Sequence, residues 1–312
     1  MRAYIGQPVY PLLASGPVPG ASLMSRGPLR TSPLKPDPPA APLHLAEPPG
    51  PSPAVQIDAL SGDPNFMTSL ARGLAVLQAF SNRRRHLTIS QLSERTGLSR
   101  AAVRRCLYTL EKLGFAESDD RRHFFLRPRV LALGHSYLSS MPLATAAQPV
   151  LEHLSHLLHE SCSIATLDGQ DVVYVARANV TRIMSIDLGV GSRLPAFCTS
   201  MGRVLLAHLP PEALEVYLAH VRFSRHTERT VASVEKLRQI LRAVRNSGHA
   251  IVDQELELGL RSMAVPIPGP GGKPAAALNV GTHVQRVSLN ELQTKFLPHL
   301  RAAAQELSLL MQ

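Results

Sequence analysis

The segment from Thr88 to Phe115, "TISQLSERTGLSRAAVRRCLYTLEKLGF", constrains the fold of this chain more than any other. Thr88 suits the N-cap of a short helix, and Gly97 suits its end because glycine tolerates the positive φ of a helix C-terminus. Ser99 suits the N-cap of a second helix, which carries apolar residues at helical spacing: Val103, Leu107 and Leu110. Two short helices joined by a glycine turn predict a helix-turn-helix.

The flanking segments extend this motif to a winged domain over residues 67–128. The stretch "SLARGLAVLQAF" before it predicts a helix with four apolar residues on its inward face: Leu70, Leu74, Leu77 and Phe80. The stretch "FAESDDRRHFFLRP" after it predicts a hairpin of two short strands around a turn at Asp119 to Arg122.

The positive charge of the chain is concentrated in the same region. The formal net charge is +10, and residues 67–135 carry thirteen Lys and Arg against five Asp and Glu. Residues 136–312 carry sixteen against fourteen, and residues 1–66 carry four of each. Such a local surplus indicates a phosphate-binding surface. The alternative is a solvated basic face on a winged domain that contacts only protein.

In a winged helix-turn-helix the second helix enters the major groove, and exposed residues near its N-terminus contact base edges. Here we expect that role for Ser99, Arg100, Ala101, Arg104 and Arg105. Arginine can bond two acceptors of guanine at once. We expect DNA contacts around this helix from Arg83, Arg84, Arg85, Thr88, Arg121 and Arg122. Cys106 fits a small buried residue better than a redox sensor.

Residues 1–66 form a proline-rich extension, since fifteen of the 26 prolines lie before residue 65. A segment with so few periodic apolar residues is expected to be disordered or extended. Met67 opens the first stretch that is expected to fold, and it is a candidate translation start. A role as a docking segment is the alternative.

The sequence predicts a linker helix over residues 129–143. It also predicts a second domain, of the α+β class, over residues 144–312. Strand-like runs at 162–167 and 171–177 are hairpin neighbours, which implies an antiparallel sheet. Further strand-like runs lie at 182–190, 249–253, 260–269 and 274–281. Helical runs lie near 199–207, 211–220, 231–247 and 288–311.

Several classes of protein are disfavoured by the sequence. There is no apolar run long enough to span a membrane and no secretory signal, so we expect a cytoplasmic protein. Three scattered cysteines without CxxC spacing argue against a disulfide framework and a zinc finger. His153, His156 and His159 recur every three residues, but no neighbour completes a metal site. We therefore expect neither a metal nor another cofactor.

The stretch "RLPAFCTSMGRVLLAH", residues 193–208, raises the question of a nucleophile at Cys198 or Ser200. A nucleophile needs a neighbouring base, and His208 lies about two helical turns beyond Ser200. The other interpretation is a helix N-terminus that binds a carboxylate without reacting. Its polar groups would come from Thr199, Ser200, Arg193 or Arg203, with Gly202 allowing close approach. Its apolar walls would come from Met184, Leu188, Phe197 and Met201. On this reading no residue is catalytic.

A second polar set follows at Asp253, Glu255 and Glu257. Their alternation predicts a strand with all three carboxylates on one face. Three roles are open: acid–base chemistry, cation binding, and pairing with Arg261 or another arginine.

The quoted helix-turn-helix, together with "GSRLPAFCTSMGRVLLA" and "VDQELELGLRSMAVPI", resembles the isocitrate-lyase-regulator (IclR) family of bacterial transcription factors over residues 67–312. The stretch "RIMSIDLGVGSRLPAFCTSMGRVLLAH" is most similar to regulators of protocatechuate and 4-hydroxybenzoate pathways. The resemblance implies a GAF-like C-terminal domain that binds a small organic acid. It carries the effector contacts over to Ala196, Thr199, Ser200, Met201, Asp253, Glu255, Ser262 and Ala264. Ser262 stands where some relatives have cysteine.

The resulting hypothesis is a regulator of aromatic-acid breakdown genes, either an activator or a repressor, that binds a double-stranded DNA operator as a homodimer or tetramer. Its expected effector is protocatechuate, 4-hydroxybenzoate, β-ketoadipate or a similar acid. RNA polymerase is a further expected partner, and the nucleoid is the expected location. The alternatives are an enzyme acting on such an acid, fused to a DNA-binding domain, and an architectural DNA-binding protein without a ligand.

Overall fold

A computed structural model of the chain describes residues 51–80, 85–120, 122–180 and 188–310. Its N-terminal domain contains four helices followed by a two-stranded hairpin. They are α1 (Pro53–Asp58), α2 (Thr68–Gln78), α3 (Ile89–Thr96), α4 (Arg100–Lys112), β1 (Ala116–Ser118) and β2 (Phe124–Leu126). β1 and β2 pair antiparallel. The predicted winged helix-turn-helix is confirmed.

The turn between α3 and α4 has the chemistry that the sequence predicted. Thr88 and Gln91 form a reciprocal capping box at the start of α3. Gly97 ends α3 in the left-handed region with φ of 72°. Ser99 caps α4 by accepting a hydrogen bond from the backbone N–H of Ala102. Local sequence therefore fixes both ends of the turn.

Two predictions about this domain are wrong. Residues 53–58 form α1, with Ile57 buried, although disorder was expected throughout residues 1–66. Leu70 and Leu74 were placed on the inward face of α2 but are exposed, because Ala75 and Val76 face the core instead. The small Ala75 and Val76 allow α2 to pack closely against α4.

Two helices connect the domains, α5 (Leu131–Ser139) and α6 (Pro142–Leu158). The break falls at Met141, because proline at the next position suits the first turn of a helix and not its interior. No residue of α5 is buried, although the helix is largely apolar. Leu143, Ala147, Leu151 and Leu154 of α6 are buried against the sheet of the second domain.

The second domain is built on one antiparallel sheet in the order β5-β4-β3-β8-β7-β6. Its strands are β3 (Ser161–Asp168), β4 (Asp171–Ala178), β5 (Arg193–Pro195), β6 (Ala250–Asp253), β7 (Leu260–Pro268) and β8 (Pro274–His283). This sheet confirms the α+β class. Of the strand-like run predicted at 182–190, residues 182–187 lie outside the described part, and Leu188 to Val190 form no strand.

Helices cover both faces of this sheet. α6 and the C-terminal helical segment share one core with it; that segment comprises α10 (Leu289–Glu291), a π-helical turn (Leu292–Phe296) and α11 (Leu297–Leu309). The other core includes α7 (Ser200–Ala207), α8 (Pro211–His220) and α9 (Val234–Ser247). Among the described helices, none is both long and apolar enough to cross a bilayer.

Candidate DNA-binding surface and effector site

The start of α4 presents the arrangement expected of a DNA-reading helix. All five predicted contact residues are exposed: Ser99, Arg100, Ala101, Arg104 and Arg105. Within the described residues, the three arginines of this set form no ion pair and no side-chain hydrogen bond. Their guanidinium groups are therefore available to phosphates and base edges. The side-chain oxygens of Thr88 and Ser99 instead cap the two helices.

The wing contributes one described basic residue from its turn. Arg122 is exposed and adopts a left-handed backbone conformation with φ of 61°, while its N–H donates to the carbonyl of Asp119. Arg85 is also exposed. Three other predicted DNA contacts, Arg83, Arg84 and Arg121, lie outside the described residues.

Cys106 lies on α4 and is half-buried. Burial raises the pKa of its thiol, while the positive charges of Arg72 and Arg105 act in the opposite direction. The thiol is therefore protonated at neutral pH, and the reactive thiolate that redox sensing needs is not favoured.

At the start of α7, where the sequence predicts a carboxylate-binding site, most polar groups are bonded to other groups of the protein. Thr199 accepts from the N–H of Gly202 and donates its hydroxyl proton to the carbonyl of Pro195, 3.0 Å away. Arg203 is buried and binds both oxygens of Glu255, at 2.6 and 2.7 Å. The suggestion that Thr199 and Arg203 offer a free donor and a free charge is therefore wrong.

The absence of a side chain at Gly202 allows close packing within the protein, whereas the prediction from sequence assigned that space to a ligand. A Cβ atom at this position would lie 2.2 Å from the carbonyl oxygen of Ala196, so α7 packs directly on the turn before it. Arg193, the other suggested cation, is half-exposed and binds Asp168 and Asp171.

The acidic run does not present three carboxylates on one face. β6 ends at Asp253, and Gln254 turns the chain with φ of 62°. Asp253 pairs with Arg261 and Arg229, whereas Glu255 is buried against Arg203. The arginine-pairing alternative therefore holds for Asp253 and Glu255. Burial raises the pKa of Glu257, which is half-buried.

Glu255 also fixes the irregular segment that precedes α9. Its Oε2 accepts from the N–H of Val231, and its carbonyl accepts from the hydroxyl of Thr230. The neighbouring hydroxyl of Thr227 donates to the carbonyl of Gln254. These contacts give Asp253 and Glu255 structural roles in shaping the wall around α7.

Cys198 lacks the surroundings of a nucleophile. Burial raises the pKa of its thiol to about 12. His208 hydrogen-bonds the carbonyl of Val204 through Nδ1 and does not contact Cys198. Within the described residues, Cys198 therefore has no base to activate it.

The other proposed effector contacts lie mainly around α7. Ala196 and Met201 are buried in the core that α7 shares with the sheet, and Ala264 of β7 belongs to the same core. Leu188 packs against it. Ser262 is half-buried two residues before Ala264, and thus on the same face of β7. Met184 lies outside the described residues.

The sheet brings together a polar row that sequence reasoning missed. Ser163 of β3 is paired in register with Arg177 of β4 on one side and Asn279 of β8 on the other. Arg177 Nη1 donates to Ser163 Oγ at 2.9 Å, and its guanidinium carbon lies 5.9 Å from the ring centre of Tyr174. Burial lowers the pKa of Arg177, but an arginine guanidinium keeps its charge inside proteins.

Two buried oxygens near α7 have no hydrogen-bond partner within the described structure. They are Asn279 Oδ1 on β8 and Ser200 Oγ at the start of α7. Leu278 and Val280, on either side of Asn279, belong to the core that the sheet shares with α6, so strand alternation places Asn279 on the face that α7 covers. Buried polar atoms are normally satisfied, and a bound molecule is one way to satisfy them. One sequence feature points to this polar row: Arg177 and Asn279 directly follow the mainly apolar runs "DVVYVA" and "PAAAL".

Arg177 also borders a cleft that opens to solvent. Two open clefts of about 470 and 630 Å³ run along α6 and β4, and Gln148 lines both. Arg177 lines the larger cleft with His156 and His159, whose ring centres are 6.4 Å apart. In the described part of the chain, no three His, Cys, Asp or Glu side chains are grouped to hold a metal ion.

Two profiles of one protein family match the chain. The profile described as bacterial transcriptional regulator IclR C-terminal matches residues 135–309. The IclR helix-turn-helix domain matches residues 69–120.

Individual relatives cover most of the chain. The Pca regulon regulatory protein of Pseudomonas putida is 54% identical, over 91% of this chain and 98% of that protein. The p-hydroxybenzoate hydroxylase transcriptional activator of Acinetobacter baylyi is 38% identical, over 78% of this chain and 91% of that protein. A crystal structure of an IclR homologue from Microbacterium hydrocarbonoxydans, complexed with 4-hydroxybenzoate, is 26% identical with a TM-score of 0.66. The match covers 78% of this chain and 98% of that one.

Proposed function

Because this chain belongs to the IclR family of bacterial transcriptional regulators, we propose that it controls genes for aromatic-acid breakdown in response to a small carboxylic acid. The chain is a DNA-binding regulator and not an enzyme. The observation that carries the choice of ligand class is the row of Arg177, Ser163 and Asn279 beside α7.

This row supplies the groups that an aromatic acid needs. Arg177 offers a charged, planar donor that matches a carboxylate, and Ser163 accepts from it while its own proton stays available. Asn279 Oδ1 can accept a hydrogen bond from a ring hydroxyl, and the Ser200 hydroxyl can donate to the second carboxylate oxygen. We therefore favour protocatechuate, 4-hydroxybenzoate or β-ketoadipate as the effector.

The walls of the site come from the residues around α7. We assign apolar contact to Leu188, Ala196, Met201 and Ala264, and polar contact to Ser200 and Ser262. We assign a structural role to Thr199, Asp253 and Glu255. Their polar atoms are bonded to other parts of the protein, so these residues stabilise the site without contacting the ligand. Met184 is assigned to the wall on its sequence alone.

The DNA-binding role is assigned to α4 and the wing. Arg100, Arg104 and Arg105 would contact the operator in the major groove, and Arg122 would contact the phosphate backbone. We place the protein with the nucleoid in the cytoplasm, where its operator is found, and we include RNA polymerase among its partners.

We further propose that the chain acts as a homodimer or a dimer of dimers. Two helices expose apolar side chains that a second copy would cover: Leu70 and Leu74 of α2, and Leu131, Leu133 and Tyr137 of α5. Leu131, Leu133 and Tyr137 are each at least 50% exposed on one short helix, and a group of exposed apolar side chains marks an interface where a single one does not. A dimer would present two α4 helices to a two-fold operator.

A thermal-shift screen combined with a DNA mobility shift tests the proposal. The full chain is melted with protocatechuate, 4-hydroxybenzoate, β-ketoadipate and shikimate, each over a range of concentrations. At least one acid should raise the midpoint with concentration by mass action, and the same acid should change operator affinity. If none of them raises the midpoint, the assigned ligand class is wrong.

A further inference from the structure

The helix α1 lies upstream of the recognised helix-turn-helix, yet it packs onto that motif. The family match begins at residue 69, whereas α1 covers Pro53–Asp58. Ile57 is 7% exposed, Ala54 packs against the core of the winged domain, and α1 contacts α2. Residues 53–58 are therefore part of the folded DNA-binding domain.

The contact of α1 falls on the turn that joins α3 to the recognition helix. A Cβ atom at Gly97 would lie 2.6 Å from Ser52 Oγ and 3.2 Å from Ala54 Cβ, so both side chains sit directly against the glycine. The next residue, Leu98, is buried, and its carbonyl accepts from the hydroxyl of Ser93. The turn thus packs against α1 on one side and is held by α3 on the other.

The segment between α1 and α2 also has local order. Ser61 Oγ donates to the carbonyl of Asp58, and the N–H of Asn65 donates to Asp63 Oδ1. Such side-chain turns fix the path of a short connection. α1 is therefore held against the turn by a connection of defined shape.

We infer that α1 is a positioning element for DNA recognition: by packing on Gly97 it holds the turn that orients α4 toward the operator. This inference rests on the proposed DNA-binding function. Gly97 has no side chain of its own to fill the space above the turn, and Ser52 and Ala54 fill it instead. Without α1 the turn loses this packing, and the angle between α3 and α4 is less well defined.

The first test compares two substitutions on the same helix in the full-length chain. Ile57→Asp removes the buried anchor of α1, while Val55→Asp introduces the same charge at a residue that is 55% exposed. The DNA probe is a duplex that the full-length protein selects from a random pool. We expect Ile57→Asp to weaken binding about tenfold and Val55→Asp to bind as the unaltered chain does. Equal affinity of both variants would overturn the inference.

A second test does not depend on DNA. Amide hydrogen exchange of Gly97 and Leu98 should be faster in Ile57→Asp than in Val55→Asp, because the turn loses its packing against α1 when the anchor of that helix is removed. Unchanged exchange would contradict the inference. If the full-length chain selects no DNA, the proposed regulator function fails, while this measurement still decides the role of α1.

A double-mutant cycle covers the case in which Ile57→Asp does not fold. Gly97→Ala suffers from its positive φ in any background, but it also meets Ser52 only when α1 is present. Its loss of thermal stability should therefore be smaller in a full-length chain that carries Ser52→Gly than in the unaltered chain. An equal loss in both backgrounds would show that α1 does not contact the turn in solution.

Discussion

At the scale of single residues, the buried pair of Arg203 and Glu255 joins α7 to the loop after β6. Both side chains are almost fully buried, and Arg203 Nε also donates to the carbonyl of Phe197. A buried ion pair is held at a cost of desolvation, so loss of one partner leaves an uncompensated charge. This pair is a structural element of the effector domain.

Replacing Arg203 by methionine is therefore expected to destabilise the second domain by about 3–5 kcal/mol. The measurement is the midpoint of urea unfolding followed by a probe of that domain. Arg238→Met is a matched control, because Arg238 forms its ion pair with Glu215 at the surface and should change the midpoint little. Similar effects of both substitutions would contradict this assignment.

The other decisive residue is Arg104, which is exposed near the N-terminus of α4. Arg104→Ala should weaken operator binding by about 1–3 kcal/mol and relax the preference at one base position. Mobility-shift titrations with the selected duplex and its single-base variants measure both effects. Lys112→Ala, at the far end of the same helix, is the control and should leave base preference unchanged. A uniform weakening on all duplexes would instead assign Arg104 to a phosphate.

At the scale of helices and strands, the sequence predicted elements well where local chemistry decides them. Both ends of α3 and the start of α4 follow from the caps that the sequence predicted at Thr88, Gly97 and Ser99. The strand expected through Asp253 to Glu257 does not form, because Gln254 adopts a positive φ that no spacing rule reveals. The buried face of α2 was also missed, since small residues were preferred over leucines at the contact with α4.

The capping box of α3 gives a test at this scale. Thr88→Ala removes the oxygen that accepts from the N–H of Gln91 and should cost about 1 kcal/mol of stability in the winged domain. Thr88→Ser retains that oxygen and serves as the control. Thermal unfolding of both variants gives the comparison. If alanine and serine are equally stable, the box contributes nothing in solution.

At the scale of the whole molecule, the order of domains and the antiparallel sheet followed from the sequence, whereas the polar row did not. Arg177, Ser163 and Asn279 are up to 116 residues apart in the chain and meet only through strand register. The sequence predicted the site at the start of α7 because the polar residues there are adjacent in the chain. In the folded chain most of those groups are hydrogen-bonded or ion-paired within the protein, and Ser200 is the one hydroxyl among them without a described partner.

Calorimetric titration of the full-length protein tests whether an acid is bound through Arg177. 4-Hydroxybenzoate, protocatechuate and β-ketoadipate are each titrated into the unaltered chain, Arg177→Met and Arg193→Met. Loss of a charged hydrogen bond of about 1.5–3 kcal/mol should weaken binding to Arg177→Met at least tenfold. Arg193→Met should bind normally, because Arg193 is held by Asp168 and Asp171 at the surface. Equal affinity of Arg177→Met and the unaltered chain for the same acid, or failure of all three acids to bind the unaltered chain, would show that no acid is bound through Arg177.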